Sequence, residues 1–229
     1  MADLIQVEDF QSLFKNKTPL LDVRAPIEYA KGAFPTAVNL PLLDDAERQA
    51  IGLRYRQAGR DAAVQLGEEL ISGDVKQARI EGWLAFCETN PNAVIYCFRG
   101  GLRSEIAQQW LHESGIDVAR IAGGYKALRR YLIETTLSLT NDDNLIVIGG
   151  KTGSGKTHIL NSLPNSLDLE GIAYHRGSAF GRRAAPQPAQ IDFENEIAIQ
   201  LLELNWKQQC RVVVEDESRA IGSLSIPHN

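Results

Sequence analysis

Two short stretches of this 229-residue chain hold residue types whose spacing can do chemistry. The first is Cys97-Phe98-Arg99-Gly100-Gly101-Leu102-Arg103-Ser104, directly after the apolar run Ala93–Tyr96. A cysteine at the end of a buried strand, followed by a glycine-bearing loop and a helix, has its sulfur where backbone N–H groups converge. The helix N-terminus adds partial positive charge there. Arg99 and Arg103 add full charges. All three effects favour the thiolate, the reactive form of cysteine. The same cradle suits a sulfane sulfur, a selenium or a phosphate oxyanion carried on Cys97. Two glycines and two arginines so close together argue against a merely structural buried cysteine. Cys97, Arg99 and Arg103 are the expected catalytic residues.

The second stretch, Gly150-Lys151-Thr152-Gly153-Ser154-Gly155-Lys156-Thr157, matches G-x4-G-K-[ST] and follows the apolar run Leu145–Ile148. Such a loop wraps backbone amides around a diphosphate, with the lysine neutralising phosphate charge and the threonine hydroxyl available to Mg²⁺ if a metal is used. Gly150, Gly153, Ser154, Gly155, Lys156 and Thr157 are the expected diphosphate-binding residues. The motif implies a held polyphosphate or pyrophosphate ester, not hydrolysis of one. Asp216, after Val212–Val214, is the expected acidic partner that positions a metal or a substrate, with Glu215 and Glu217 beside it. A resident metal ion is not expected. His175–Arg183 packs three arginines, a histidine and an aromatic residue together. Arg176 and Arg182 there suit phosphate contacts and Phe180 suits base stacking; an exposed basic loop is the equal alternative.

The elements that must position these residues alternate. Residues 7–15 read as helix, 20–23 as strand, 26–31 as a helical turn, and 37–41 as a strand closed by Pro41. Residues 44–71 read as a helix interrupted near Gly59, and 74–89 as a helix with Ile80, Trp83, Leu84 and Cys87 on one face. Strand 93–96, helix 104–114, strand 118–121 and helix 125–139 follow. The polar run Asn141–Asn144 is the expected boundary, giving domains 1–140 and 141–229. The pattern then restarts with strand 145–148, the phosphate loop and a short helix. Residues 164–190 read as loop, 191–206 as helix and 211–214 as strand. Strands alternating with helices imply a parallel sheet covered by helices. Only two strands are legible after Asp143, so the second domain is expected to be incomplete, as in a C-terminally truncated chain.

Hydrophobic residues at 44% and charged residues at 23% are ordinary globular values that exclude whole-chain disorder. The net charge of -5 lends no support to simple nucleic-acid binding, although local patches suffice for it. No apolar run approaches a membrane span, and the start MADLIQVEDF is not a secretory signal. Three widely spaced cysteines make no disulfide framework. Cys87 and Cys210 read as structural. These features point to the cytoplasm, with no membrane partner.

The segments Leu21-Asp22-Val23-Arg24, Glu28-Tyr29, Ala37–Pro41 and Gly123–Leu128, flanking the Cys97 loop, resemble the signatures of rhodanese-type sulfurtransferase domains. Asp22 and Arg24 read as a buried ion pair or loop clamp. The C-x5-R spacing of Cys97 and Arg103 is one residue longer than the usual rhodanese loop and resembles phosphatases on the same fold. Against a phosphatase, Tyr96 stands where those enzymes carry a histidine. A rhodanese domain followed by a phosphate-loop domain, with Asp168–Gly171, His175–Gly181 and Glu215–Arg219 in order, resembles the tRNA 2-selenouridine synthase family.

That resemblance implies an α/β chain: a rhodanese-like parallel-sheet domain and a P-loop NTPase-like domain. It implies a transferase acting on the wobble uridine of tRNA. The sulfur of 2-thiouridine attacks geranyl diphosphate, and selenium from selenophosphate then replaces the geranylthio group. Cys97 would hold selenium and Gly150–Thr157 the diphosphate. No tightly bound cofactor is implied; Mg²⁺ is admitted, and a selenophosphate-supplying enzyme is a natural partner. A general sulfurtransferase, a cysteine-dependent phosphatase and an inactive truncated form are the competing readings.

Overall fold

The computed structural model describes residues 3–140, 144–151, 154–176, 185–207, 211–217 and 219–227. Contacts group the chain into two units, Met1–Lys31 with Thr36–Leu128, and Gly32–Pro35 with Arg129–Asn229.

The first unit begins with β1 (Leu4–Ile5), a 3₁₀ turn at Val7–Asp9 and α1 (Phe10–Lys15). Then come β2 (Leu20–Asp22), α2 (Pro26–Tyr29) and β3 (Ala37–Asn39). Two long helices follow, α3 (Asp45–Leu70) and α4 (Gly73–Thr89). β4 (Val94–Tyr96), α5 (Leu102–Glu113), β5 (Ala119–Ile121) and α6 (Gly124–Leu139) complete the alternation, with the unit division falling inside α6.

The sheet is five-stranded and wholly parallel, in the order β1-β5-β4-β2-β3. β2 and β4, central and buried at every position, are apolar through most of their length, as strands covered on both faces must be. Leu21, Val23, Trp83, Ile95, Ala107 and Leu111 form the core between the sheet and the helices. Burying each large apolar side chain contributes about 1.5–3 kcal/mol. β1 adds a strand that its two residues could not announce, pairing Leu4 with Arg120 and Ile5 with Ile121.

α3 starts on a reciprocal cap: Asp44 Oδ1 accepts from Glu47 N and Glu47 Oε2 accepts from Asp44 N, each at 2.7 Å. It breaks at Gly59, whose φ of 84° is left-handed. The expected interruption falls there because glycine takes that conformation without a Cβ clash.

In the second unit, β6 (Leu145–Ile148) leads to α7 (Lys156–Ser162). β7 (Ser166–Leu167) and α8 (Leu169–Ile172) come next, then α9 (Gln190–Trp206) and β8 (Val212–Glu215). β9 (Ala220–Ile221) and β10 (Leu224–Ser225) form an antiparallel hairpin. The order β6-β8-β7 is parallel throughout, and Phe193, Ile197 and Leu201 of α9 share a core with Leu167 and Val212.

Two expectations need correction. Residues 164–190 are not continuous loop: they contain β7 and α8, the latter capped by Asp168 Oδ1, which accepts from Gly171 N at 2.8 Å. The parallel sheet after Asp143 therefore has a third strand, too short to show a period. The boundary residues Asn141–Asp143 lie outside the described residues, as does Cys210. Among the described residues no helix is long and apolar enough to cross a membrane.

Candidate active site

Cys97 follows β4 directly and is buried at 3% exposure. Its Sγ lies 3.3 Å from Ser104 Oγ, in the first turn of α5, and points toward Gly101 O at 3.8 Å. Ser104 Oγ donates to the same carbonyl at 2.9 Å. The sulfur thus sits at the N-terminal end of a twelve-residue helix, where the macrodipole favours negative charge.

The loop is held from the far side by the start of α6. Tyr125 N donates to Cys97 O at 2.9 Å and Lys126 N to Phe98 O at 3.1 Å. This contact demands glycine. A Cβ on Gly124, where φ is 58°, would lie 2.3 Å from Cys97 O and 2.5 Å from Gly100 N. A Cβ on Gly100, where φ is 66°, would lie 2.7 Å from Gly123 N. Arg120 Nη1 donates to Gly100 O and pairs with Glu105 at 3.3 Å.

Beneath the loop lies a buried polar network. Arg24 and Asp22 are 1% and 0% exposed, and Arg24 Nη2 donates to Asp22 Oδ2 at 2.6 Å, as the expected ion pair. Tyr96 OH donates to the same oxygen at 2.7 Å. The Arg24 guanidinium lies 3.9 Å from the Tyr125 ring centroid and Tyr125 stacks on Phe98. Burial and then the Asp22 charge push the Tyr96 phenol well up, so it stays a donor. Burial works against the Arg24 charge, but Asp22 outweighs it and keeps the guanidinium ionised. Breaking such a pair from one side costs about 3–5 kcal/mol.

Of the two expected arginines, Arg99 is exposed, while Arg103 is clamped by Glu28 through Nη1–Oε2 at 2.6 Å and Nη2–Oε1 at 3.2 Å. Burial alone would raise the Glu28 carboxyl, but Arg103, then Ala25 N and Arg48, hold it below the usual range. Cys87 is buried in the core, and burial pushes its thiol up. That is the structural role expected for it.

Beside the loop, an apolar cavity of about 550 Å³ opens between α3, α5 and the Leu42–Leu43 turn. Arg99, Leu102 and Arg103 belong to both the loop region and the cavity wall. Nothing in the sequence pattern announced this space, because its walls come from a bent helix and a turn.

The phosphate loop joins β6 to α7. Gly155 caps α7 with φ of 87°, Lys156 Nζ donates to Gly150 O at 2.9 Å, and Ser154 N donates to Lys151 O at 3.1 Å. Thr157 lies in the first turn of α7. Gly153 lies outside the described residues. Parallel pairing of Ile148 with Glu215 brings the loop and the acidic residues after β8 to the same end of the sheet, where open α/β sheets bind ligands. A Cβ on Gly149 would lie 3.8 Å from Asp216 Oδ2, so exposed Asp216 borders the loop.

Glu215 and Glu217 instead converge with Glu170, their nearest carboxylate oxygens within 4.8 Å of one another. Glu215 Oε1 is buried with no hydrogen-bond partner among the described residues. Burial, then the charges of Glu170 and Glu215, raise the Glu217 carboxyl. This set suits a hard divalent cation, which takes oxygen ligands. His175 is buried with Nδ1 unpartnered among the described residues, and Arg176 is exposed; Arg182 lies outside the described residues.

Comparison with known proteins matches a family model to each of two stretches of the chain. Residues 6–131 match the rhodanese-like domain and residues 143–229 match the tRNA 2-selenouridine synthase AAA domain. A tRNA 2-selenouridine synthase of Pseudomonas syringae pv. tomato is 54% identical over 99% of this chain and 62% of its own length. One from Photobacterium profundum is 55% identical over 96% of this chain and 60% of its own length. The chain therefore spans about three fifths of these relatives. A crystal structure of the N-terminal domain of a putative ATP/GTP binding protein from Clostridium difficile 630 is 31% identical, with a TM-score of 0.51 over 57% of this chain and 99% of that one. The chain belongs to the tRNA 2-selenouridine synthase family, as a rhodanese-like domain joined to that family's AAA domain.

Proposed function

We propose that this chain is a transferase that converts 2-thiouridine at the wobble position of tRNA to 2-selenouridine. The observation that carries the reading is the pairing, within one chain of this family, of a cysteine cradle with a full G-x4-G-K-T phosphate-loop sequence. Residues 1–140 handle the chalcogen and 141–229 the diphosphate.

In the first step the sulfur of 2-thiouridine attacks the C1 carbon of geranyl diphosphate. The C–O bond breaks and diphosphate leaves with the electron pair, while the base loses its N3 proton. Lys156 and the loop amides stabilise the charge that develops on the diphosphate, a form of electrostatic catalysis. In the second step C2–Se forms and C2–S breaks. The net change consumes selenophosphate and water and yields 2-selenouridine, geranylthiol and phosphate. The selenium of selenophosphate attacks C2, geranylthiolate leaves with the C2–S electron pair, and water cleaves the Se–P bond to release phosphate. Cys97 positions that selenium in its loop with no S–Se bond formed, and Arg99 and Arg103 offset anionic charge beside it. Glu170, Glu215 and Glu217 would hold a divalent cation such as Mg²⁺, which would supply charge neutralisation near the diphosphate. Asp216, Arg176 and Arg182 are assigned to substrate positioning. The partners are tRNA and an enzyme that supplies selenophosphate, in the cytoplasm.

Nucleoside mass spectrometry tests this directly. The chain, incubated with 2-thiouridine tRNA, geranyl diphosphate and selenophosphate, should produce 2-selenouridine. Lys156→Ala should lower formation of S-geranyl-2-thiouridine at least tenfold and weaken geranyl diphosphate binding in calorimetry. Indifference of both readouts to Lys156→Ala would favour a plain sulfurtransferase with the phosphate loop as a passenger.

A further inference from the structure

The cavity beside the Cys97 loop is far larger than the cradle needs. A sulfur, a selenium or a phosphate fits within the loop itself, whereas about 550 Å³ is the scale of a small-molecule pocket. Its interior is formed by Leu42, Leu43, Ile51, Val64 and Ile106, with Trp110 at one side. None of these aliphatic side chains offers a hydrogen-bond donor or acceptor. A uridine ring seated among these aliphatic walls would find polar partners only in Tyr55, Arg60, Glu68, Arg99 and Arg103. The rest of its polar edge would go unpaired, which is costly because base recognition relies on such bonds. The occupant that suits these walls is a flexible hydrocarbon.

Charge is confined to a few residues. Arg60 and Arg99 are exposed lining residues, Arg103 is half-buried against Glu28, and Glu68 is the one carboxylate among the lining residues. An apolar volume edged by arginines and continuous with the nucleophile loop describes a molecule with a hydrocarbon end and a polar or anionic end, its junction near Cys97. The bend at Gly59 makes the space. Ile51 and Tyr55 come from the arm of α3 before the bend, and Ala63, Val64 and Gly67 from the arm after it. Trp110 is fixed in place by stacking on Trp83, their centroids 6.1 Å apart, and by Lys76 Nζ 4.4 Å from its ring. The wall is therefore built and rigid on the α5 side.

We infer that this cavity binds the ten-carbon prenyl chain of S-geranyl-2-thiouridine and so presents its C2–S bond to the Cys97 loop. The inference rests on the transferase reading for the identity of the chain, and on the cavity alone for its chemical class. It assigns the prenyl-recognition site of the selenium step to the rhodanese-like unit. The phosphate loop keeps the diphosphate of the first step.

The test is a binding titration of the 229-residue chain, read by tryptophan fluorescence and calorimetry. The probes are S-geranyl-2-thiouridine, its five-carbon dimethylallyl analogue, and 2-thiouridine. Each buried methylene adds roughly fourfold in affinity, so the geranyl nucleoside should bind at least tenfold tighter than the five-carbon one. Unmodified 2-thiouridine should not compete. Val64→Phe fills the cavity, and Leu102→Glu places a charge on its wall at a residue 41% exposed, where the fold tolerates it. Each should weaken the geranyl nucleoside at least tenfold with the thermal midpoint retained. Equal affinity for the two chain lengths, or unchanged affinity in both variants, would overturn the assignment. Conversion of S-geranyl tRNA by the parent chain is measured in parallel. Chain-length-dependent binding without conversion would sink the transferase reading while upholding the cavity. Conversion by Val64→Phe with unchanged KM would do the reverse.

Discussion

At the scale of single residues, Glu28 ties the Cys97 loop to the start of the chain. It accepts from both terminal guanidinium nitrogens of Arg103, Nη1 and Nη2, from Ala25 N at 3.1 Å, and pairs with Arg48 at 3.2 Å. Its carboxyl is held below the usual range, so its contribution is fully present above the unfolded value of about 4.3 and is lost as pH falls through the lower folded value. Glu28→Gln should cost about 1.5–3 kcal/mol at pH 7, the scale of hydrogen bonds to charged groups. Urea unfolding from pH 7 down to pH 3 should show parent and variant converging on the acid side. A constant gap at every pH would mean that the carboxylate charge is not what stabilises the loop. The Asp22–Arg24 pair was legible because the two stand two positions apart between an apolar strand and a proline. The Glu28–Arg103 clamp spans 75 positions, and no local pattern carries a partnership of that length. Glu170 went unassigned for the same reason: its companions Glu215 and Glu217 lie at the end of β8 and just beyond it, far from Glu170 in sequence.

At the scale of elements, the Gly123–Gly124 junction between β5 and α6 is the mould for the Cys97 loop. Gly124→Ala should both strain a left-handed backbone, at roughly 1 kcal/mol, and drive Cβ into Cys97 O, 2.3 Å away. The loop must then move. Labelling of the 3%-exposed Cys97 by a thiol reagent should accelerate about tenfold or more, with Cys87 as the buried internal control. Labelling at the parent rate would show that the loop keeps its form without this contact. Most long elements were legible because periodicity accumulates over many residues, and Gly59 marked its own bend. β1, β7, β9 and β10 have two residues each, too few for any period, and exist because a neighbouring strand supplies their hydrogen bonds. The cavity was illegible for a related reason. Its walls face an empty volume, and the residues that line it have the same pattern as residues that face a core.

At the scale of the whole molecule, each of the two units carries one candidate site. The rhodanese-like sheet has Cys97, the proposed catalytic residue, at the end of a central, fully buried strand. The second sheet has its phosphate loop after β6, an edge strand in the described order, whose Ile146 and Val147 remain 40% and 56% exposed. Under the proposed function, a net charge of -5 provides no long-range attraction for tRNA, so its recognition would rest on local basic groups such as those at the cavity edge. The central claim is that Cys97 serves the selenium step and not the prenyl step. The measurement that bears on it most directly is the nucleoside profile of tRNA treated with the Cys97→Ala chain, geranyl diphosphate and selenophosphate. S-geranyl-2-thiouridine should accumulate and 2-selenouridine should fall at least a hundredfold below the parent. Formation of 2-selenouridine at the parent rate would contradict the account.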